Sequence, residues 1–232
     1  MGQHTKIIDL YGLPGCGKTT LMTYLKDKSD SSIDFGYLPD ITGRLKKNYV
    51  AAFFRAFSLR QFFLLTRFFV SLPILPIKNW NIYAGFYELS WVYNFARYCS
   101  DRDYILVDHG IVQSIGSLTY GHVETLPKKS EKYLVKLLGL FAIEEYCFCK
   151  ITPEMALERI RKRNRQSGRG RLDLIKDDEK LVKELTKQDK LFSSISELVP
   201  QHTPGKSLVL NMNASESELG NRIIDELLIC RI

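Results

Sequence analysis

The segment Gly12-Leu-Pro-Gly-Cys-Gly17-Lys18-Thr19 satisfies the spacing G-x-x-x-x-G-K-[ST] without a mismatch. Gly12, Gly15 and Gly17 carry no side chain where backbone N–H groups have to converge, and a helical pattern begins at Lys18. A turn of this kind holds an anion. Its N–H groups cradle phosphate oxygens, and the N-terminal end of the helix adds partial positive charge. Lys18 is placed to reach the β- and γ-phosphates of a nucleoside triphosphate, and the Thr19 hydroxyl to ligate Mg²⁺. The candidate nucleotide-binding residues are therefore Gly12, Gly15, Cys16, Gly17, Lys18, Thr19 and Thr20, with Cys16 read as a small filler rather than a nucleophile.

The elements around the loop are those the motif needs. "KIIDLY" is a short, β-branched, largely apolar run suited to a buried parallel strand, and "KTTLMTYLKDK" carries Leu21, Tyr24 and Leu25 at helical spacing. "SIDFGYLPD" reads as a second strand ending near Pro39 and Asp40, and "ITGR" as a turn. Helical patterning runs from about Leu45 to Leu72, is broken by Pro73 and Pro76, and resumes from about Asn79 to Ser100. "DYILVDHG" is a strand, "PKKSEKYLVKLLGLF" a helix and "EEYCFCKIT" a strand. "PEMALERIRKRN" is a helix with Pro153 in its first turn, and a basic loop leads to a helix expected from about Asp173 to Leu198. "KSLVLNMN" is a last strand, and Ser215 with Glu218 forms a capping box for the closing helix. Strands alternating with helices imply an α/β architecture, a parallel sheet with helices on both faces.

Two further constellations complete the chemistry. Asp108 ends an apolar strand, the position at which open α/β sheets bind ligands, and is the candidate to hold Mg²⁺ directly or through water. The helix containing Arg159 and Arg163, followed by a glycine-containing arm with Arg169 and Arg171, has the make-up of a mobile lid. Arginines closing over a transferring phosphoryl group stabilise its negative charge and exclude water.

Composition bounds the setting. With 232 residues, 45% of them apolar, the chain can bury a sizeable core as one domain spanning 1–232. The opening residues do not have the pattern of a secretory signal. Five cysteines without a framework or C-x-x-C spacing favour a reducing, cytoplasmic location, and four scattered histidines offer no metal cluster. Metal is thus expected to arrive with the substrate. A net charge of +7 suits anions without distinguishing nucleotides, nucleic acid and acidic lipid.

Between Ile41 and Tyr87 there is no acidic residue, while Arg44, Lys46, Lys47, Arg55, Arg60, Arg67 and Lys78 alternate with Phe and Tyr. Arg60, Arg67 and two prolines interrupt this stretch too often for it to span a bilayer. As a helix, Val50, Phe53, Phe54, Phe57, Gln61, Leu64, Leu65 and Phe68 share a face, while Leu59, Phe62, Phe63 and Phe69 fall off it. Three readings stay open: a helical subdomain packed on the following helix, an acceptor pocket or homodimer face, and peripheral contact of 45–77 with an anionic membrane. Nucleic acid is not the expected partner, since no groove-binding or single-strand motif accompanies the charge.

On "GLPGCGKTT", "ILVDHG", "ALERIRKR" before a basic arm, and "LVLNMNASESEL", the chain resembles P-loop kinases of the nucleotide and nucleoside kinase group, thymidylate kinases above all. "DHGIVQSIGS" is nearer to uncharacterised P-loop NTPases with a basic helical insertion. The resemblance implies a three-layer P-loop sandwich with a five-stranded parallel sheet. It also implies a helical acceptor-binding insertion over 45–100 after the second strand and an Arg-rich lid over 161–173. By position, Asp40 resembles the carboxylate that orients or deprotonates an acceptor hydroxyl, and Arg44 would grip an acceptor phosphate. His109 stands where thymidylate kinases place an arginine, a departure that weighs against thymidine monophosphate as acceptor. The expected catalytic set is Lys18, Asp40, Asp108, Arg163, Arg169 and Arg171, with Arg159 on the nucleotide and Asp40, Arg44 and His109 on the acceptor. The activity so implied is transfer of the γ-phosphate of Mg-ATP to a hydroxyl- or phosphate-bearing small molecule. The rival is an NTPase switch docked on a membrane or a partner protein.

Overall fold

The computed structural model describes residues 5–28, 33–36, 59–73, 103–119, 123–140, 143–164, 175–202 and 206–226. Five strands, β1 (Lys6–Gly12), β2 (Ile33–Gly36), β3 (Tyr104–Val107), β4 (Ile143–Lys150) and β5 (Lys206–Asn211), form one sheet in the order β2-β3-β1-β4-β5. Every pairing in it is parallel. The described helices are α1 (Lys18–Lys28), α2 (Leu59–Ser71), α3 (Ile111–Thr119), α4 (Lys128–Leu138), α5 (Pro153–Asn164), α6 (Asp178–His202) and α7 (Glu216–Glu226).

β1 is the central strand and is buried from Ile7 to Gly12. Covered on both faces, it needs a continuous apolar run rather than alternation. The register sets Asp9 opposite Val107 and Tyr146, and Tyr11 opposite Phe148. Tyr11 stacks on Phe148 with ring centroids 5.3 Å apart, and Phe192 of α6 tilts onto Tyr11 at 5.8 Å. α3 lies beside α6 there, with Gly116 so close to the Phe192 ring that a Cβ would collide with it. α1 and α7 pack on each other and against β1, β2 and β5, which gives the sheet its second helical layer.

The described elements differ from the sequence expectation at several points. The long helix begins at Asp178 instead of Asp173, because the Asp177 carboxylate caps it, Oδ1 accepting from the Lys180 N–H at 3.1 Å. It also continues past Leu198 to His202, with exposed Pro200, which has no N–H to donate, inside its last turn. α3 has no counterpart in the sequence-based element order. Its buried Ile111, Val112 and Ile115 face the core. Ser114 and Thr119, also buried, donate back to the carbonyls of Gly110 and Ile115 at 2.9 and 2.8 Å, which satisfies hydroxyls that would otherwise disfavour a helix.

Of the basic-aromatic stretch, only α2 and the two residues after it are described. α2 ends just before Pro73 and runs antiparallel to α4, with Gln61 Nε2 donating to the Leu140 carbonyl at 3.0 Å and Ser71 Oγ to Ser130 Oγ at 2.9 Å. Gln61, Leu65 and Phe68 are buried as one face. Phe69, expected off that face, is buried with them, because the contact with α4 is wider than a single stripe. The rest of the insertion, including the expected helix over 79–100, and positions 165–174 of the lid lie outside the described residues. No described helix is long and apolar enough to cross a membrane.

Candidate active site

The loop between β1 and α1 is held by backbone and side chains together. Gly15 and Gly17 have φ of +80° and +102°, the left-handed region that side chains rarely tolerate. At Gly12 a Cβ would run into the carbonyl of Cys149 on β4, so the loop lies directly on the sheet. The Cys16 N–H donates to the Leu13 carbonyl at 3.1 Å and the Leu21 N–H to the Gly17 carbonyl at 3.0 Å, closing the turn and starting α1.

Lys18 folds back over this turn, Nζ donating to the Gly12 carbonyl at 3.2 Å and to Cys16 Sγ at 3.4 Å. Cys16 is buried, and the hydrogen bond with the Cys149 thiol, followed by burial itself, pushes its pKa well up. A thiol held in that way stays protonated at neutral pH and fills space. Thr19 Oγ1 donates to Asp108 Oδ2 at 3.4 Å across the gap between α1 and the end of β3. A hydroxyl and a carboxylate side by side are hard oxygen donors that, with phosphate oxygens and water, fit Mg²⁺. Among the described residues no group of three His, Cys, Asp or Glu side chains is gathered, so a metal here would share its shell with a bound anion.

α5 supplies the opposite wall. Arg159 Nη1 donates to the Cys16 carbonyl at 2.9 Å and Nη2 to the Met212 carbonyl at 3.0 Å, so one guanidinium ties the phosphate loop to the β5–α7 connection. Lys162 and Arg163, three and four residues on, lie along the same cavity, as helical spacing dictates. Arg161 turns the other way, pairing with Asp178 at 2.6 Å and donating to the Ile175 carbonyl at 2.7 Å. The cavity enclosed by these groups is about 850 Å³, with Lys18, Thr19, Asp108, His109, Arg159 and Arg163 in its lining. Gly15, Cys16, Gly17 and Thr20 line it as well. His109 keeps solvent contact at the rim, yet desolvation by the walls, with the nearby Lys18 ammonium adding to it and Asp108 opposing, lowers its pKa.

Asp40, Arg44, Arg169 and Arg171 lie outside the described residues. Two residues that the sequence reading passed over support the loop from beneath. Asp9, fully buried in β1, accepts from the Val112 N–H through Oδ2 at 3.2 Å, and Gln113 Oε1 accepts from the Gly12 N–H at 3.1 Å. These two bonds clamp α3 to the strand that feeds the loop. Their signals were an aspartate inside an apolar strand run and a Gln113–Ser117 pair four residues apart in "IVQSIGS".

The fold and the loop together have the P-loop arrangement: a parallel sheet in the order 2-3-1-4-5, with a glycine-rich turn between the central strand and its helix. No family model matches the chain, and no curated protein matches it. Solved structures do match. Deoxyadenosine kinase from M. mycoides with the products dCMP and a flexible dCDP bound superposes with a TM-score of 0.54 at 15% identity, over 97% of this chain and 100% of that one. The same kinase with bound dATP gives 0.51 at 12% identity over 96% and 99% of the two chains. With bound dCTP it gives 0.51 at 14% identity over 97% and 100%. The chain thus has the fold of these P-loop nucleoside kinases.

Proposed function

We propose that the protein is an ATP-dependent phosphotransferase that moves the γ-phosphate of Mg-ATP to a hydroxyl- or phosphate-bearing small molecule, a nucleoside or nucleotide first, a sugar or lipid-linked alcohol second. The observation that carries this reading is the convergence on one cavity of Lys18, the Thr19–Asp108 pair, and Arg159 with Arg163. Phosphoryl transfer asks a protein mainly for positioning and positive charge around the equatorial oxygens, and this set provides both.

In this reading the loop N–H groups and Lys18 hold the β- and γ-phosphates, and Thr19 and Asp108 hold Mg²⁺, which supplies charge neutralisation when bound. Arg159 stays on the loop carbonyl and walls the nucleotide side, while Arg163, joined from the lid by Arg169 and Arg171, lies over the transferring group. His109 is kept neutral at pH 7 by its surroundings and presents an uncharged imidazole to the acceptor. Asp40 and Arg44 are assigned to the acceptor by resemblance, Asp40 to take the hydroxyl proton. The deoxyadenosine kinase fold over nearly the whole chain supports a nucleoside as the first acceptor to try. The test is transfer of labelled γ-phosphate from Mg-ATP to nucleosides, nucleoside monophosphates, sugars and polyprenols. A labelled product with one class and none without acceptor supports the reading. Free phosphate alone, unchanged across the panel, counts against it.

A second reading, an NTPase switch docked on an anionic membrane, is favoured by one feature. On α2, Leu59, Phe63 and Val70 are exposed next to exposed Arg60 and Arg67. Acceptor-independent hydrolysis that anionic liposomes stimulate would favour it over transfer.

A further inference from the structure

Gly12 is where two side chains from different elements meet. Its carbonyl receives the Lys18 ammonium at 3.2 Å, and its N–H donates to Gln113 Oε1 at 3.1 Å. Gln113 enters from the first turn of α3, the helix that follows the Asp108 end of β3, so it approaches the loop from the side on which Asp108 and Thr19 stand. Its neighbour Val112 is bound to Asp9, which fixes that turn of α3 against β1 and leaves the carboxamide little freedom.

The bond to Gly12 also decides which way the carboxamide points. An N–H donor can be met only by the oxygen, so the Nε2 branch with its two donors takes the remaining direction. No described residue accepts a hydrogen bond from Nε2, and the side chain, 6% exposed, lines the same cavity as Lys18, Thr19 and Asp108. The structure therefore holds a buried, oriented, uncharged donor beside a lysine at the mouth of a phosphate cradle. A donor of that kind, without a protein acceptor at the cavity wall, is open to water or to an anion that enters the cavity.

We infer that Gln113 reads the terminal phosphate: Oε1 stays on the Gly12 N–H while Nε2 donates to an oxygen of the γ-phosphate. The inference rests on the proposed binding of a nucleoside triphosphate at this loop. ADP, one phosphate shorter, leaves Nε2 without that acceptor, so Gln113 is a positioning and specificity residue that favours tri- over diphosphate. Lys18, as a cation, attracts either nucleotide, and a neutral amide whose other end is pinned to the loop adds the discrimination.

The experiment compares binding of Mg-ATP and Mg-ADP by calorimetry to the wild type, Gln113→Glu and Gln113→Met. Gln113→Glu keeps an acceptor for the Gly12 N–H, so the loop stays supported, but it sets a carboxylate against phosphate. Its affinity for Mg-ATP is expected to fall about tenfold or more at about pH 8, and that for Mg-ADP by less than about twofold, the loss of one charge-assisted hydrogen bond. Towards about pH 4.5, near the ordinary glutamate pKa of about 4.3, the variant's ATP affinity relative to the wild type at the same pH recovers as the carboxyl takes up a proton and becomes a donor again, a return that a purely structural role would not give. Gln113→Met loses both contacts, and it too is expected to weaken ATP more than ADP. Equal weakening of the two nucleotides, unchanged ATP affinity, or an ATP loss that does not respond to pH overturns the inference. A wild type that binds neither nucleotide overturns both it and the site reading. A wild type that binds Mg-ATP yet labels no acceptor removes only the kinase proposal, and the contrast between ATP and ADP still decides Gln113.

Discussion

Thr19 Oγ1 lies 3.4 Å from Asp108 Oδ2, although 89 residues separate them in the chain. The first residue belongs to the helix that follows the phosphate loop, the second to the end of the neighbouring strand, and the parallel β1·β3 pairing brings them together. If the pair holds Mg²⁺, Thr19→Ala and Asp108→Asn should each raise the Mg²⁺ concentration needed for half-maximal activity. The double variant should lose less than the sum of the two, because both changes empty one site. A Mg²⁺ titration of the four proteins checks this, and strict additivity would argue that the two residues act separately.

Lys18 donates to the loop it serves, through the Gly12 carbonyl and Cys16 Sγ. Lys18→Ala is expected to reduce phosphoryl transfer by about 10²- to 10³-fold or more, the scale for a charge-stabilising donor, with the fold retained. Activity assays beside a thermal melt read both halves. Unaltered turnover in a folded variant would defeat the kinase reading.

Arg159 bridges two carbonyls, those of Cys16 and Met212, that belong to different walls of the cavity. Arg159→Lys keeps the charge but cannot span both acceptors. It should cost about 1.5 to 3 kcal/mol of stability, the range for hydrogen bonds to a charged group, and should weaken nucleotide binding. Chemical denaturation and calorimetry measure the two effects. A variant matching the wild type in both would show the bridge to be idle.

Gly116 touches the Phe192 ring so closely that any Cβ must displace it. Gly116→Ala should destabilise the protein by about 1 to 3 kcal/mol through overpacking between α3 and α6. Pairing it with Phe192→Leu, which makes room, should recover part of the loss. A denaturation series on the single and double variants reads the coupling, and no recovery would place the strain elsewhere.

Burial raises the pKa of Asp189 on α6, with Lys150 opposing the rise and Glu154 adding to it. Its folded pKa therefore lies above the unfolded one, and between the two the native state binds more protons. The ionised carboxylate is thus a cost at neutral pH that is relieved as pH falls through the folded value. Asp189→Asn should melt higher than the wild type at pH 7, and the gap should narrow towards pH 4. Melting curves across that range check the sign, and a gap that widens on acidification would reverse the assignment.

The glycine loop was legible in the chain, because its geometry is local: Gly12, Gly15, Gly17, Lys18 and Thr19 lie within eight consecutive residues, and glycine is favoured where φ turns positive, as at Gly15 and Gly17. The strands were legible too, since β1 and β4, covered on both faces, carry largely apolar runs in which Asp9 and Glu145 are buried exceptions. α3 was not. Its nine residues combine a buried β-branched stripe with Ser114, Gly116, Ser117 and Thr119, residues that disfavour a helix until the core pays their cost. Asp177 rather than Asp173 opens α6 for a related reason, since a cap is defined by where a carboxylate meets a free N–H.

By itself the sequence determined that a strand, a glycine cradle and a helix would follow one another, and that strands and helices would alternate. Both are written in the conformational limits of neighbouring residues and in hydrophobic period. Only the tertiary structure decided that β3 lies beside β1. That adjacency is what carries Asp108 to Thr19 and places Gln113 under Gly12. It depends on which apolar faces bury each other across about a hundred residues of chain, a choice made by packing the whole sheet and not legible in any one segment.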